Sequence, residues 1–335
     1  MDLKQLTDIG AVSGNEKTLR NAIVEAAKTR CNDVSIDRMG NVICQKKGTD
    51  PDLPHVLVSA HMDEVGFIVV GHTDEGLLRI RPVGGIDPRV IVSKWVKVGE
   101  EGLPGVIGAM AIHLQTAADR ERVLDFDRLF IDIGAKDKKE AEKLCELGSY
   151  AYFDTPYTLF GDGYVCAKAL DDRVGCLNLL RLMEHDYKCD VTFAFVTQEE
   201  IGLRGAMGAA YANQPDIAVV LEGTAAGDLG DVPKQFHVSQ PGKGVAVSFM
   251  DRASIADREL YRTMLSLAES EGIAHQVKRG VTGGNDAGAY QLSGKGARTV
   301  VLSVPCRYIH SGASVAKFSD IDAQFALAQA FINNI

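Results

Sequence analysis

Two textures of hydrophobic patterning run along this chain of 335 residues. In the first, compact apolar runs (Val56 to Ala60, Val191 to Val196, Ile217 to Leu221 and Thr299 to Val304) alternate with longer stretches whose apolar residues recur every three or four positions. Short, nearly uninterrupted β-branched and aromatic runs read as strands buried on both faces. The stretches 15–28, 171–184, 203–213, 257–272 and 319–334 read as helices with one apolar face. This alternation predicts an α/β domain with a parallel or mixed sheet covered by helices. Between about 67 and 160 the texture changes. Short β-rich segments (Phe67 to Val70, Leu77 to Arg81, Trp95 to Val98, Gly105 to Met110 and Tyr150 to Phe153) are separated by Gly, Pro and Asp, with one helical stretch at 138–147. That pattern predicts a small β-barrel or β-sandwich. It would be inserted into the α/β domain, leaving 1–66 and 161–335 as the main domain and 67–160 as the insert.

Charged residues cluster where the apolar runs stop. Val191 to Val196 leads into Thr197-Gln198-Glu199-Glu200, and Val56 to Ala60 leads into His61-Met62-Asp63. Ile217 to Leu221 ends in Glu222, and His310 follows the last run. Asp171 precedes the helical pattern at Val174, near a helix N-terminus that favours a negative group. In open α/β sheets the carboxyl ends of strands are where ligands bind. Adjacent carboxylates delivered by a buried strand are costly unless a cation accompanies them. Imidazole and carboxylate without sulfur suit zinc, cobalt or manganese. His61, Asp171, Glu200, Glu222 and His310 exceed the three protein ligands of one catalytic zinc. Two ions bridged by an aspartate roughly 3.5–4 Å apart are the more economical reading, with Asp171 as the bridge. Asp63, two positions after His61, is expected to fix the imidazole from behind rather than to ligate.

Composition narrows the class. A formal net charge of −9 disfavours nucleic-acid and anionic-membrane partners. The first residues lack a basic start followed by a long apolar stretch, so no secretory signal is expected. No apolar run approaches the ~20 residues of a membrane span. Seven cysteines, odd in number and without a C-x-x-C pair, point to reduced thiols and a cytoplasmic setting.

His61-Met62-Asp63-Glu64-Val65-Gly66-Phe67, Ala169 to Gly175, Thr197 to Ala206 and Arg307 to Ser311 resemble the motifs of the glutamyl or deblocking metalloaminopeptidases, metallopeptidase family forty-two. Ser13-Gly14-Asn15-Glu16, Leu129 to Ala135 and Asn285 to Ala289 extend the resemblance over nearly the whole chain. It implies a zinc-peptidase-like catalytic domain, with His61 and Glu222 on one metal, Glu200 and His310 on the other, and Asp171 between them. Glu199 would be the general base, taking a proton from a metal-bridging water and passing it to the leaving amine, and Asp172 would orient the loop. It further implies short peptide substrates and a homo-oligomer built through the insert, with twelve subunits as the family habit. Two departures stand out. Glu222 occupies a place where many members carry Asp, and Gly312 replaces a common proline, which predicts a looser loop beside His310. The glycine-rich segment Gly280 to Ala289 reads as a loop capping the helix that follows, or, as the resemblance implies, as a lining of the pocket for the substrate's first residue, with Asp286 as a contact. Another amide hydrolase, deacylase or carboxypeptidase-like, fits the same ligands. A glycosidase using Glu199 and Glu200 would leave the histidines and aspartates unexplained.

Overall fold

The computed structural model describes residues 1–31 and 33–335. Its main sheet has eight strands, in the order Asp33–Ile36, Val42–Lys46, Val191–Val196, Val56–His61, Ile217–Ala225, Arg298–Cys306, Val245–Ser248 and His275–Lys278. The four central strands are mutually parallel, while antiparallel pairings join the flanking strands to them, so the sheet is mixed. Every residue of Val56–His61 and Val191–Val196 is buried, which is why those segments lack polar alternation. Helices Lys17–Lys28, Leu170–Leu182, Arg258–Ser270 and Phe318–Asn333 contribute to the larger hydrophobic core. Helices Arg204–Asn213 and Ala287–Leu292 pack in a second core with Leu57, Val196 and Val220.

The β-rich stretch closes into a six-stranded barrel, ordered Gly66–His72, Leu78–Val83, Leu129–Asp132, Leu103–Ala109, Trp95–Val98 and Tyr150–Phe153. Its interior is filled by side chains of alternate positions, among them Phe67, Val69, Leu78, Ile80, Ile131 and Phe153. Of the two expected forms, the barrel is the one adopted. Leu129–Asp132, which the patterning did not single out as a strand, supplies its closure between two others. A three-stranded sheet of Thr158–Phe160, Tyr164–Ala167 and Ser314–Lys317 lies beside the main one. Among the described residues, no helix is long and apolar enough to cross a membrane.

Candidate metal centre

The parallel strands bring their C-terminal ends to one place. His61 is the last residue of its strand and pairs in register with Val196. Beyond Val196 the chain turns through Gln198 (φ 57°), and Glu199 and Glu200 follow. Glu222 was expected at a strand end but lies within Ile217–Ala225, opposite Ser303, because that strand runs three residues further. Asp171 lies in the first turn of Leu170–Leu182, after Ala169 (φ 54°), and the Asp171–Asp172 peptide bond is cis. Tyr308 (φ 59°) and His310 (φ 56°) complete a set of left-handed non-glycine residues around the cavity. Each such conformation costs on the order of 1–3 kcal/mol and persists only where surrounding contacts enforce it.

His61, Asp171 and Glu222 form one cluster of potential ligands, and Asp171, Glu200 and His310 form another, with ligand atoms within 4.8 Å of one another in each. Asp171 is common to both. His61 Nε2 lies 3.4 Å from Asp171 Oδ1 and 3.7 Å from Glu222 Oε2. His310 Nε2 lies 3.7 Å from Asp171 Oδ2 and 3.4 Å from Glu200 Oε2. The two Asp171 oxygens thus face different histidines. These separations are long for hydrogen bonds. The two at 3.4 Å match the edges, about 3.3–3.4 Å, of a tetrahedron whose centre is ~2.0–2.1 Å from each ligand atom, and the two at 3.7 Å are slightly wider. Asp171 Oδ1 and Glu222 Oε1 are buried without a hydrogen-bond partner among the described residues. The donor set therefore fits a divalent cation in each cluster.

Electrostatics support that fit. Burial first, and repulsion from Asp171, Asp286 and neighbouring carboxylates second, push Glu199 and Glu200 well above the ordinary carboxylate range against the pull of His61. Burial and nearby carboxylates do the same to Glu222 and Asp172. Burial works to lower the His61 pKa, but Asp171, Asp63 and Glu222 outweigh it and raise it well above its usual value. So many displaced groups signal missing positive charge, which bound cations supply.

Hydrogen bonds behind the site hold its loops. Asp63 accepts from Ser13 Oγ at 2.6 Å, Glu199 N–H at 3.0 Å and Glu200 N–H at 3.1 Å. The His61 Nδ1 contact is with the Asp63 backbone carbonyl at 3.1 Å, whereas the carboxylate is 3.6 Å away. Asp63 thus acts on the Glu199–Glu200 turn more directly than on the imidazole. Glu16 accepts from Gly14 N–H and Gln198 N–H. Asp172 accepts from Gly175 N–H and His61 N–H, tying the helix start to the strand end. A Cβ on Gly175 would come within 2.4 Å of Asp172 Oδ2, so this close approach needs glycine.

A cavity of about 450 Å³ opens over Asp171, Glu199, Glu200, Glu222 and His310. Thr282 to Asn285 line it, as expected of the glycine-rich segment. Asp286 does not line the cavity. It is fully buried with both oxygens unpartnered among the described residues, and burial pushes its pKa up to about 7. The loop at Gly312 is tethered rather than loose, because Thr155 Oγ1 donates to the Gly312 carbonyl and Phe153 packs against it. Gly85 of the loop after Leu78–Val83 approaches the His310 ring, and Lys278 lines the cavity from the sheet edge. Neither was singled out in the sequence, since nothing in local patterning marks a loop or edge residue as facing a distant site.

Two adjoining clusters of potential metal ligands at the carboxyl ends of the central parallel strands are therefore what this architecture presents. A sequence profile described as M42 glutamyl aminopeptidase matches residues 40–327. The chain is 35% identical over 323 residues to a putative aminopeptidase of Acetivibrio thermocellus, covering 96% of this chain and 94% of that protein. Its structure is similar to an aminopeptidase of the archaeon Desulfurococcus kamchatkensis, with TM-score 0.94 and 33% identity, covering 99% and 94% of the two chains. It is similar also to the TET1 peptidase of Pyrococcus horikoshii, with TM-score 0.87 and 36% identity, covering 99% and 98%. The chain belongs to the M42 family of metal-dependent aminopeptidases.

Proposed function

We propose that this chain is a dinuclear aminopeptidase that removes the N-terminal residue from short peptides. The observation that carries the reading is the pair of ligand clusters sharing Asp171. His61 and Glu222 would hold one divalent ion, Glu200 and His310 the other, and Asp171 both. Bound there, the ions supply Lewis acidity and lower the pKa of a water. Glu199 lies with His61 and Glu200 in a third cluster, while Glu200 also belongs to the His310 cluster. This leaves Glu199 the better placed to stay off the ions, take the proton of the attacking water and pass it to the leaving amine. Asp63 and Glu16 hold the backbone that aims it. The carboxylate-rich floor also suits the free α-ammonium of a peptide.

Zinc or cobalt fits the nitrogen and oxygen ligands best, with manganese next. We further assign residues 67–160 as an insert that makes subunit contacts. Exposed Trp95, Met110, Ile112 and Leu114 favour this, and the Pyrococcus horikoshii relative assembles into a tetrahedron or a large octahedral shell. All seven cysteines are free, which accords with a reducing cytoplasm.

The test is to strip the protein with chelator, add back each metal in defined ratios and assay aminoacyl chromogenic substrates. Activity should rise as occupancy approaches two ions per chain. Glu199→Gln should keep both ions and lose ~10²–10⁴-fold in kcat. Two bound ions with cleavage only of N-acyl substrates would replace this reading with another amide hydrolase.

A further inference from the structure

Beside the carboxylate-rich cavity lies a second hollow of the opposite charge. A groove of about 390 Å³ is lined by Lys234, Lys243 and Arg279, with His237 and His275 next to them. Val238 lines both hollows, and Lys278 on the cavity wall is followed directly by Arg279 on the groove wall. No carboxylate lines the groove. Among the described residues, none of Lys234, Lys243 and Arg279 forms a salt bridge. Asp228, on the loop that leads to Lys234, is taken up by Arg307 at 2.6 and 2.8 Å. The chain carries a formal net charge of −9, so three unpaired cations in one concavity run against its composition. A concave wall of one sign focuses its field on a ligand of the other sign.

Hydrogen bonds fix the walls that carry these charges. Gln276 Oε1 accepts from Gln240 N–H at 2.9 Å, and its Nε2 donates to the Gln240 and Gly244 carbonyls at 3.0 and 2.9 Å. Arg279 N–H donates to the Val238 carbonyl at 3.0 Å, joining the edge strand to the loop that borders the cavity. His237 Nε2 is 2.9 Å from the Val232 carbonyl, so it carries the proton and donates, and Nδ1 accepts from Gln240 Nε2 at 3.1 Å. The turn that presents Lys243 is held from below by buried Asp320, which accepts from Gly242 N–H and Gly244 N–H at 2.6 and 2.8 Å. A groove held in this way binds with less ordering cost than a mobile surface would.

A peptide whose first residue lies at the metal clusters must leave the cavity with the residues that follow. Two or three extended residues cover ~7–11 Å, the scale of hollows of this volume. We propose that the groove is a downstream subsite in which Lys234, Lys243 and Arg279 receive a carboxylate of the peptide beyond the scissile bond, either its C-terminal carboxylate or an acidic side chain. This rests on the aminopeptidase reading of the neighbouring cavity and leaves the choice of first residue aside. The cations are exposed, so each contributes a few-fold and the three together roughly tenfold in affinity. Such contacts are the same before and during bond cleavage, so they act on KM and leave kcat in place.

The experiment uses the metal-loaded full chain. A panel of aminoacyl p-nitroanilides first identifies the best-released residue. Three tetrapeptides that begin with it and continue in alanine are then compared: the free acid, the C-terminal amide, and an amide with glutamate in third place. The wild type should show a KM roughly 3- to 10-fold lower for at least one carboxylate-bearing peptide than for the plain amide, and raised salt should narrow the gap. A low KM for the free acid alone assigns the C-terminal carboxylate, and a low KM for the glutamate amide assigns the side chain. Lys234→Gln/Lys243→Gln/Arg279→Gln should raise the low KM to that of the plain amide. It should leave kcat and p-nitroanilide release unchanged, because an anilide has no downstream residues. Lys234→Gln/Arg279→Gln serves if the triple variant does not fold. Equal KM for the three peptides in the wild type overturns the proposal, as does a gap that survives in the active variant. Loss of p-nitroanilide turnover in the folded variants would also overturn it, since the groove would then be supporting the metal centre. Release from no anilide and no peptide by the wild type would instead overturn the aminopeptidase reading, and this inference with it.

Discussion

Replacing Asp63 with asparagine changes one atom in the support of the Glu199–Glu200 turn and tests whether that support sets the geometry. The wild-type carboxylate is fully buried and accepts three hydrogen bonds, Oδ1 from Glu199 N–H and Oδ2 from Ser13 Oγ and Glu200 N–H. An asparagine amide has one oxygen. Placed to keep the two Oδ2 bonds, it presents an NH₂ to the Glu199 N–H, and two donors then face each other. A buried N–H left unsatisfied costs about 1–3 kcal/mol, and the two surviving bonds lose their charge assistance, so ~2–4 kcal/mol of stability should go. Relief comes from shifting the turn, and a displacement of about 1 Å at a catalytic group can cost ~10²-fold in rate. Urea unfolding should show the lower stability, and kcat at saturating metal should fall by about that factor. Ser13→Ala is the control, since it spares both bonds to the turn and should cost ~1 kcal/mol with little change in kcat. If Asp63→Asn retained kcat within a few-fold while binding its metals, the claim that this carboxylate positions Glu199 would be wrong.

Gly205 opens the helix that follows the turn, and a Cβ there would lie 2.3 Å from the Thr197 carbonyl oxygen and 2.5 Å from Asn41 Oδ1. Gly205→Ala should therefore cost ~3 kcal/mol, the upper end for overpacking because the obstacle is backbone. A denaturant midpoint equal to wild type would show that the turn yields freely. Burial lowers the Lys168 pKa from 10.5 to about 8, with Glu64 opposing. The folded protein then binds fewer protons than the unfolded chain between those values, so this residue's contribution makes stability rise with pH from about 8 to 10.5. Subtracting the pH–stability curve of Lys168→Met from that of the wild type should reveal the rise, and a flat difference would remove the assignment. For Glu200, Glu222 and Asp172 the folded pKa lies above the unfolded one, so in chelated protein their contribution to stability is full below the unfolded values of 3.8 to 4.5 and is lost as pH rises through the raised ones. Calorimetry across pH 5–8 should show the gap between metal-loaded and chelated protein widening, and a constant gap would contradict the charge argument.

Much of this was legible because burial on both faces erases alternation. Val56–His61 and Val191–Val196 had to be interior strands, and a histidine or paired glutamates following them had to sit at the sheet's carboxyl edge. Helix starts fell within a residue or two for Arg204–Asn213, Arg258–Ser270 and Phe318–Asn333, whose apolar faces repeat cleanly. The strands Val245–Ser248 and His275–Lys278, the last two on one side of the sheet, were not anticipated. Four residues give too few repeats to separate strand from loop, and their pairing is long-range. Barrel and sandwich share one sequence pattern, and only the pairing of Leu129–Asp132 with both neighbours decides between them. Lys278 was invisible for the same reason. Its burial depends on an edge strand whose position no local pattern encodes.

The site draws its candidate ligands from five sequence-distant segments, and the structure solves the resulting alignment problem with carboxylates that face away from the cavity. Asp63 holds the amides of Glu199 and Glu200, Glu16 holds that of Gln198, and Asp172 holds that of His61. Glu64 accepts from Ala11 N–H, Lys168 and Arg173, locking the N-terminal segment that carries Ser13 and Glu16 against the helix that carries Asp171. An acceptor-only side chain with four lone-pair directions suits this task, because each can take two or three N–H groups at once. The acidic pairs Glu199-Glu200, Asp171-Asp172 and Asp63-Glu64 divide these two tasks, facing the cavity and securing backbone, in three different ways. In the first pair both side chains face the cavity. In the second, one carboxylate faces the cavity and its neighbour secures backbone. In the third, both secure backbone. Replacing the backward-facing members should thus disturb metal geometry without removing a ligand, which separates them in practice from the forward-facing ones.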